Sequence, residues 1–433
     1  MSTVQLFLAS TLYGTATLAA ALDGGRFPPA DRRILLASNN APTPETTPPF
    51  TQAPGFETLR TRFDDVLDWN ATIRPLHPSG WTPRPDDVPL WERQLRDVWG
   101  LGDCSVTLVL ESVQVAPAQA VAQLFPDAPI EVYADGLMSY GPTRNKLDPL
   151  IGGRVRRLLH LDLVAGLRPL LLSEFGVPAE VVPSADFLRV LAELPYPDDE
   201  LPPDPAPALL LGQYLAALDI LTVAEEEALH VRMLRGAVAR GHRRVVFKPH
   251  PSAPAGWSRR LEEEAAALGA ELTVFGSPLL AEVLFRRLRP ALVVGCFSTA
   301  LFTAHALYGI PVARVGTDVL LERLAPYENS NRVPVTLADA LLPDLEGPGA
   351  PPLAAPALVA AVGYAMQPQV LAGRRADAER YLRSGLSPRT RRYFKRRRLT
   401  ALGLPGGLPR RLAFVPRNPT VRRVARRVRR LAA

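Results

Sequence analysis

The chain has 433 residues, 47% hydrophobic and 21% charged, with 45 prolines and a formal net charge of +7. That length predicts two or three domains with sizeable cores, and that composition excludes a disordered or collagen-like chain. Two cysteines, Cys104 and Cys296, stand too far apart in sequence for a metal-ligand spacing and are too few for a disulfide framework, so reduced thiols in a cytoplasmic protein are expected.

No run reaches the roughly 20 apolar residues of a membrane span. Residues 1–22 are apolar and Ala-rich like a signal peptide, but they lack a basic start and are interrupted by Ser10, Thr11, Gly14 and Thr15. Residues 4–9 are predicted to form a first strand, 10–14 a loop and 15–22 a helix. Residues 33–37 predict a second strand, ending in Ser38, Asn39 and Asn40. Apolar residues at helical spacing predict a helix over 56–69. A buried strand over 106–110 precedes a helix near 117–125, and 130–133 is the next strand. The apolar run 154–172 does not divide into elements by pattern alone. Alternation of strand and helix predicts a parallel, doubly wound sheet.

Residues 195–207 form a proline-rich, acidic linker. Beyond it the pattern restarts. Strands are predicted at 208–211, 245–247, 271–275, 291–295 and 310–313, and helices at 224–240, 259–268, 279–286 and 298–307. A second proline-rich break covers 347–356. The organisation is therefore an N-terminal Rossmann-like domain (1–194), the linker (195–207), a C-terminal Rossmann-like domain (208–370) and a basic helical tail (371–433). The first strand lacks a G-x-G-x-x-G turn, which argues against NAD or FAD.

Four segments at predicted strand ends carry candidate chemistry, because ligands of open α/β sheets bind at that edge. They are Asp135-Gly136, Gln213-Tyr214, Lys248-Pro249-His250-Pro251 and Ser298-Thr299. The prolines on both sides of His250 stiffen its backbone and suit neither a helix nor a central strand. Each segment also has an ordinary explanation: a turn aspartate, a turn glutamine, a structural histidine, a helix N-cap. No Asp-x-Asp occurs, so the usual metal site for a nucleotide diphosphate is missing. His77, His160, His230, His242 and His305 form no metal-like pair.

Together, Ala134-Asp135-Gly136, His250-Pro251 and Phe297-Ser298-Thr299 resemble the motifs of bacterial alpha-2,8-polysialyltransferases and their lipooligosaccharide sialyltransferase relatives. Tyr133, Tyr140 and Gly212-Gln213-Tyr214 extend the likeness over residues 4–365. The chain departs from the pattern at Ala134, where the family has a first acid. The resemblance implies a GT-B fold, two Rossmann-like domains facing a cleft, and an inverting glycosyltransferase with a CMP-sugar donor and no metal cofactor. It implies Asp135 as general base and His250 as general acid or phosphate contact. Lys248, Pro251, Ser298, Thr299, Gln213 and Glu282 are then expected on the donor, and Ser10, Thr11, Gly14, Asn39, Asn40, Gly136 and Tyr140 on the acceptor or sugar. Arg144 would suit a sugar carboxylate or a plain surface role.

Two other classes stay open. One is a teichoic-acid-type glycerol or polyol phosphotransferase, for which His77-Pro78 would be the second His-Pro site. The other is a noncatalytic sugar-binding relative. From Arg389 onward there are 16 Lys and Arg and no acid, so the rest of the chain is net negative. In that tail Val421, Val424, Val428 and Leu431 form one apolar stripe among arginines, suited to an anionic membrane surface at the inner face of the cell membrane. A solvated tail is the plain alternative, and nucleic acid is not expected as a partner.

Overall fold

A computed structural model describes residues 2–196, 206–250 and 258–408. Pro251, most of the linker and the stripe 421–431 lie outside the described residues.

The first domain is a seven-stranded, all-parallel sheet of β1 (Thr3–Ala9), β2 (Arg32–Ala37), β3 (Asp65–Asp68), β4 (Ser105–Glu111), β5 (Ile130–Ala134), β6 (Val155–Leu161) and β7 (Ala179–Val182). Its order is β3-β2-β1-β4-β5-β6-β7. The apolar start of the chain is thus a central strand. The second domain is a five-stranded parallel sheet of β8 (Ala208–Leu211), β9 (Arg244–Lys248), β10 (Glu271–Val274), β11 (Leu292–Gly295) and β12 (Val312–Arg314), in the order β10-β9-β8-β11-β12. Strand order reverses between β1 and β4 in one sheet and between β8 and β11 in the other. Crevices open there at the carboxyl ends of the strands.

Side chains alternate between sheet faces. Leu6, Leu36, Leu108 and Val132 fill one face of the first sheet. Phe7, Leu35, Val109 and Leu159 fill the other, in a cluster that continues through Leu209, Val246 and Val293 of the second domain. The domains also meet where Arg286 donates to the Ala192 carbonyl. The chain returns to the first domain late. On the largely buried helix Ala355–Met366, Gly363 lies so close to Leu170 that a Cβ would come within 2.6 Å of it, and Gln367 donates to the Arg144 carbonyl (2.7 Å).

Three expectations are corrected. The helix expected over 56–69 stops at Arg60, because Asp65–Asp68 pairs with β2 as an edge strand and Asp68 caps the next helix through the Ala71 amide. The helix expected from residue 15 starts at Leu12, capped by the Thr11 hydroxyl, so Gly14 lies in its first turn and not in the loop. Residues 371–408 are packed against the second domain. Ala378, Leu382, Tyr393 and Leu399 are buried, and Arg398 pairs with Glu328 (2.6 Å) and donates to the Ala365 carbonyl (2.7 Å). That basic stretch is spent partly on internal contacts.

His230 lies in the core of the second domain against Phe247, and neither ring nitrogen has a partner. Burial lowers its pKa to about 4. Between pH ~6.5 and ~4 the unfolded chain therefore takes up a proton that the folded chain refuses, and stability falls as pH falls. His230→Phe is expected to remove about 2–3 kcal/mol of the acid destabilisation at pH 4.5 relative to pH 7. Urea unfolding of both proteins at both pH values reads it. An unchanged pH dependence would mean the imidazole is solvated.

Candidate active site

The carboxyl ends of both sheets face one cleft. From the first domain come the loop after β1 (Ser10, Thr11), the end of β4 (Glu111) and the turn after β5 (Asp135, Gly136). From the second come the ends of β8 (Gly212, Gln213, Tyr214), β9 (Lys248, His250) and β11 (Ser298, Thr299). The cleft holds two cavities, of about 510 Å³ and about 320 Å³. Asp135, Gly136, Gly212, His250, Ser298 and Thr299 line both, so they form the neck between them.

Asp135 is half-buried. Burial raises its pKa, opposed by its own backbone amide and by the Thr11 hydroxyl. Gly14 gives this carboxylate room: a Cβ there would stand 3.0 Å from Thr11 Oγ1, 3.2 Å from the Tyr133 hydroxyl and 3.3 Å from Asp135 Oδ2. A Cβ on Gly136 would stand 3.1 Å from Thr299 Oγ1, across the domain boundary. Gly136→Ala is therefore expected to hold the walls apart and cost about tenfold in kcat/KM, the scale of a sub-ångström misplacement, with little change in Tm. Unchanged kinetics would show that the working cleft is wider than this one.

His250 opens onto the cleft, and its ring stacks on Tyr214 (5.5 Å between centroids, 7° between planes). The protein mass around it makes the imidazolium costly, and the Lys248 ammonium adds to this, so its pKa is lowered. Lys248 is buried, donates to the Ser277 carbonyl (3.1 Å) and sits over the Phe275 ring. Burial lowers its pKa to about 8, opposed by Glu282. Glu282, also buried, accepts from the Thr303 hydroxyl (2.8 Å), and burial raises its pKa. Lys248 and Glu282 line the smaller cavity only. Ser298 caps the helix Thr299–Tyr308 through the Ala300 amide (3.3 Å), and the helix's positive end points into the neck. Gln213 accepts from the Phe297 amide (2.9 Å), holding that turn in place.

Not every predicted residue converges here. Asn39 and Asn40 stabilise their own loop. Asn39 Nδ2 donates to the Thr47 carbonyl (2.8 Å), and Asn40 accepts from the Ser38 hydroxyl (2.7 Å). Asn39 lines a separate pocket with Asp68 and Asn70. Tyr140 is buried behind the wall, where its hydroxyl accepts from the Leu163 and Val164 amides (3.1 and 3.2 Å), so it supports the turn after β5 and lines neither of the two chambers. His77 contacts the Ala41 carbonyl and the Ser79 amide, away from both chambers. Sequence reasoning passed over Glu111, Tyr13 and Thr303. For Glu111 a signal existed: it is an acid at the carboxyl end of a central strand.

The alpha-2,8-polysialyltransferase (POLYST) family model matches residues 5–317, which includes every segment that forms the neck. The chain belongs to the alpha-2,8-polysialyltransferase family. It is accordingly a glycosyltransferase, and its two Rossmann-like parallel-sheet domains facing a cleft make the GT-B architecture. No curated protein matches the sequence. Among solved structures it is similar to Acinetobacter baumannii MurG (12% identity, TM-score 0.41, covering 78% of this chain and 84% of that one). It is also similar to residues 113–497 of a Photobacterium damselae sialyltransferase, its GT-B domain (13% identity, TM-score 0.40, covering 77% and 95%). Among the described residues of this polysialyltransferase family member, no helix is long and apolar enough to cross a membrane.

Proposed function

We propose that the protein is an inverting sialyltransferase, moving sialic acid or a similar nonulosonic acid from a CMP donor to a glycan hydroxyl. The observation that carries this is the neck: Asp135 and His250, from opposite domains, border the same two chambers. The smaller chamber suits the nucleotide, with Lys248, the helix end at Ser298-Thr299 and the Glu282 carboxyl for phosphate and ribose. The larger suits the sugars. There the half-buried Arg144, hydrogen-bonded to Ser330 (3.0 Å) and with its pKa lowered by burial, would gain from a sugar carboxylate.

In this mechanism Asp135 takes the proton of the acceptor hydroxyl. The freed oxygen attacks the anomeric carbon from the face opposite the nucleotide. The carbon–oxygen bond to phosphate breaks, and its electron pair leaves with CMP, met by His250 and Lys248. Cationic side chains and helix amides answer the leaving charge, so no metal ion is called for.

CMP-sialic acid and CDP-glycerol, supplied separately with a sialylated oligosaccharide, test this reading. Acceptor-dependent CMP release and an inverted linkage by NMR are expected. Turnover of CDP-glycerol alone would reject it. Residues 389–433 would serve as a contact to anionic membranes. Equal flotation with liposomes for the full chain and one ending at residue 408 would remove that role from the last 25 residues.

A further inference from the structure

The carboxyl edge of the first sheet holds a recess that belongs to neither chamber. Ala9, Ala37 and Asp68 are register partners at the ends of β1, β2 and β3, so they form one row across the sheet. The cleft begins beside the first of them: Thr11 lines the smaller chamber, and Thr11 Oγ1 and Asp135 Oδ2 both lie within 3.3 Å of the Cβ position at Gly14. The recess begins at the other two and measures about 760 Å³, more than either chamber. Neighbouring strands lie about 4.8 Å apart, so one or two spacings, roughly 5–10 Å, separate it from Thr11. Its frame is pinned: Asn70 Oδ1 accepts from the Asn39 amide (2.8 Å) and Asn70 Nδ2 donates to the Asn39 carbonyl (2.9 Å), tying the loop after β2 to the helix Trp69–Ile73. Its charged groups are left over. Asp68 Oδ1 caps that helix through the Ala71 amide (3.1 Å), but among the described residues Oδ2 has no hydrogen-bond partner, and Glu45 and Arg74 make no ion pair. Half-buried Phe50 and Leu76, 43% exposed, add apolar surface.

We propose that this recess is a distal acceptor subsite, which takes neutral hexoses lying beneath the acceptor's terminal sugar. This rests on the acceptor being a glycan whose terminal hydroxyl reaches Asp135. Free acceptor oxygens and a guanidinium around apolar patches match a hexose, whose hydroxyls donate and accept around a rim and whose C–H faces are apolar. Two carboxylates against one guanidinium leave the recess net negative, which discriminates against an anionic sugar by repulsion. A glycan with a short charged end therefore fits, its terminal sugar at the neck and its neutral pair in the recess. A long sialic acid chain would instead lay a carboxylate against Asp68 and Glu45.

The test is saturation-transfer difference NMR on the full chain, with lactose as the probe and no donor. Saturation of lactose protons is expected in the native protein. It should be lost in Ala71→Trp, which puts an indole into the recess from an exposed helix position. No saturation in the native protein, or equal saturation in the variant, overturns the proposal. Should Ala71→Trp not fold, Thr51→Trp fills the recess from the loop side and is held to the same outcomes. Kinetics then compare two acceptors, lactose carrying one sialic acid and a sialic acid trimer. The first is expected to have the lower KM, and Ala71→Trp to raise that KM about tenfold, the scale of one or two lost hydrogen bonds. A trimer used equally well, or a KM that the indole leaves in place, overturns the assignment to neutral sugars. Lactose contact without turnover of either acceptor would support the recess and count against the sialyltransferase reading, so the two fail separately.

Discussion

Asp135→Asn is expected to lower transfer by about 10³-fold or more, near the upper range for losing a general base, while donor binding survives. The amide keeps the shape of the side chain but cannot take a proton. The stability of the variant should move the other way. A carboxyl whose pKa is higher in the folded chain costs stability once pH rises above its unfolded value, because the unfolded chain releases the proton more readily. At neutral pH the asparagine removes that cost, so Tm should hold or rise as activity collapses. A drop in both would indicate a structural aspartate, and undiminished transfer would remove Asp135 from the mechanism. Kinetics over pH, with a thermal melt of the same preparation, separate these outcomes.

His250→Asn is expected to cost about 10²-fold in kcat and to weaken donor binding. It should also remove the alkaline limb of the pH profile. The protein mass around the ring and Lys248 lower the imidazole's pKa in the free enzyme, so its proton is lost as pH rises through a value below the usual ~6.5. A bound phosphate brings negative charge to the ring and raises that value again. The alkaline limb of kcat/KM, which reports free enzyme, should therefore lie at lower pH than the limb of kcat, which reports the complex. Coincident limbs, or a limb that survives the substitution, would reject the proton-donating role. The stack on Tyr214 fixes the plane in which the ring presents its nitrogen, a positional constraint that asparagine cannot supply.

Most of the sheet was legible in the sequence, because its central strands are short apolar runs bounded by turn residues. β1, β4, β8 and β11 all read this way, and their ends carry the site. The edge strand β3 did not, since Asp65–Asp68 has no apolar alternation of its own and is a strand only because β2 lies beside it. β6 was hidden in the undivided apolar run 154–172, and β7, four residues at the sheet's edge, lies beyond that run and was not expected. At the site, motif residues were legible because prolines and glycines mark them. Tyr13 was not, because its meaning lies in which helix face it occupies, whereas Glu111 carried only the weaker signal of an acid ending a central strand. Asn39 and Tyr140 stand apart from the neck: both are polar residues at plausible positions whose hydrogen bonds close within the first domain.

The late return of the helix Ala355–Met366 to the first domain bears on how the molecule can be taken apart. Its residues are largely buried, it lies against Leu170 and Pro142, and the apolar cluster it joins runs without a break into the second sheet. A fragment ending near residue 194 would leave that docking surface bare, and a fragment beginning near 208 would carry a greasy helix with nothing to cover it. Cleavage within the linker should leave the halves associated. The smallest portable unit is therefore the whole two-sheet body, and chimeras that exchange donor and acceptor halves must carry residues 355–366 with the half they cover.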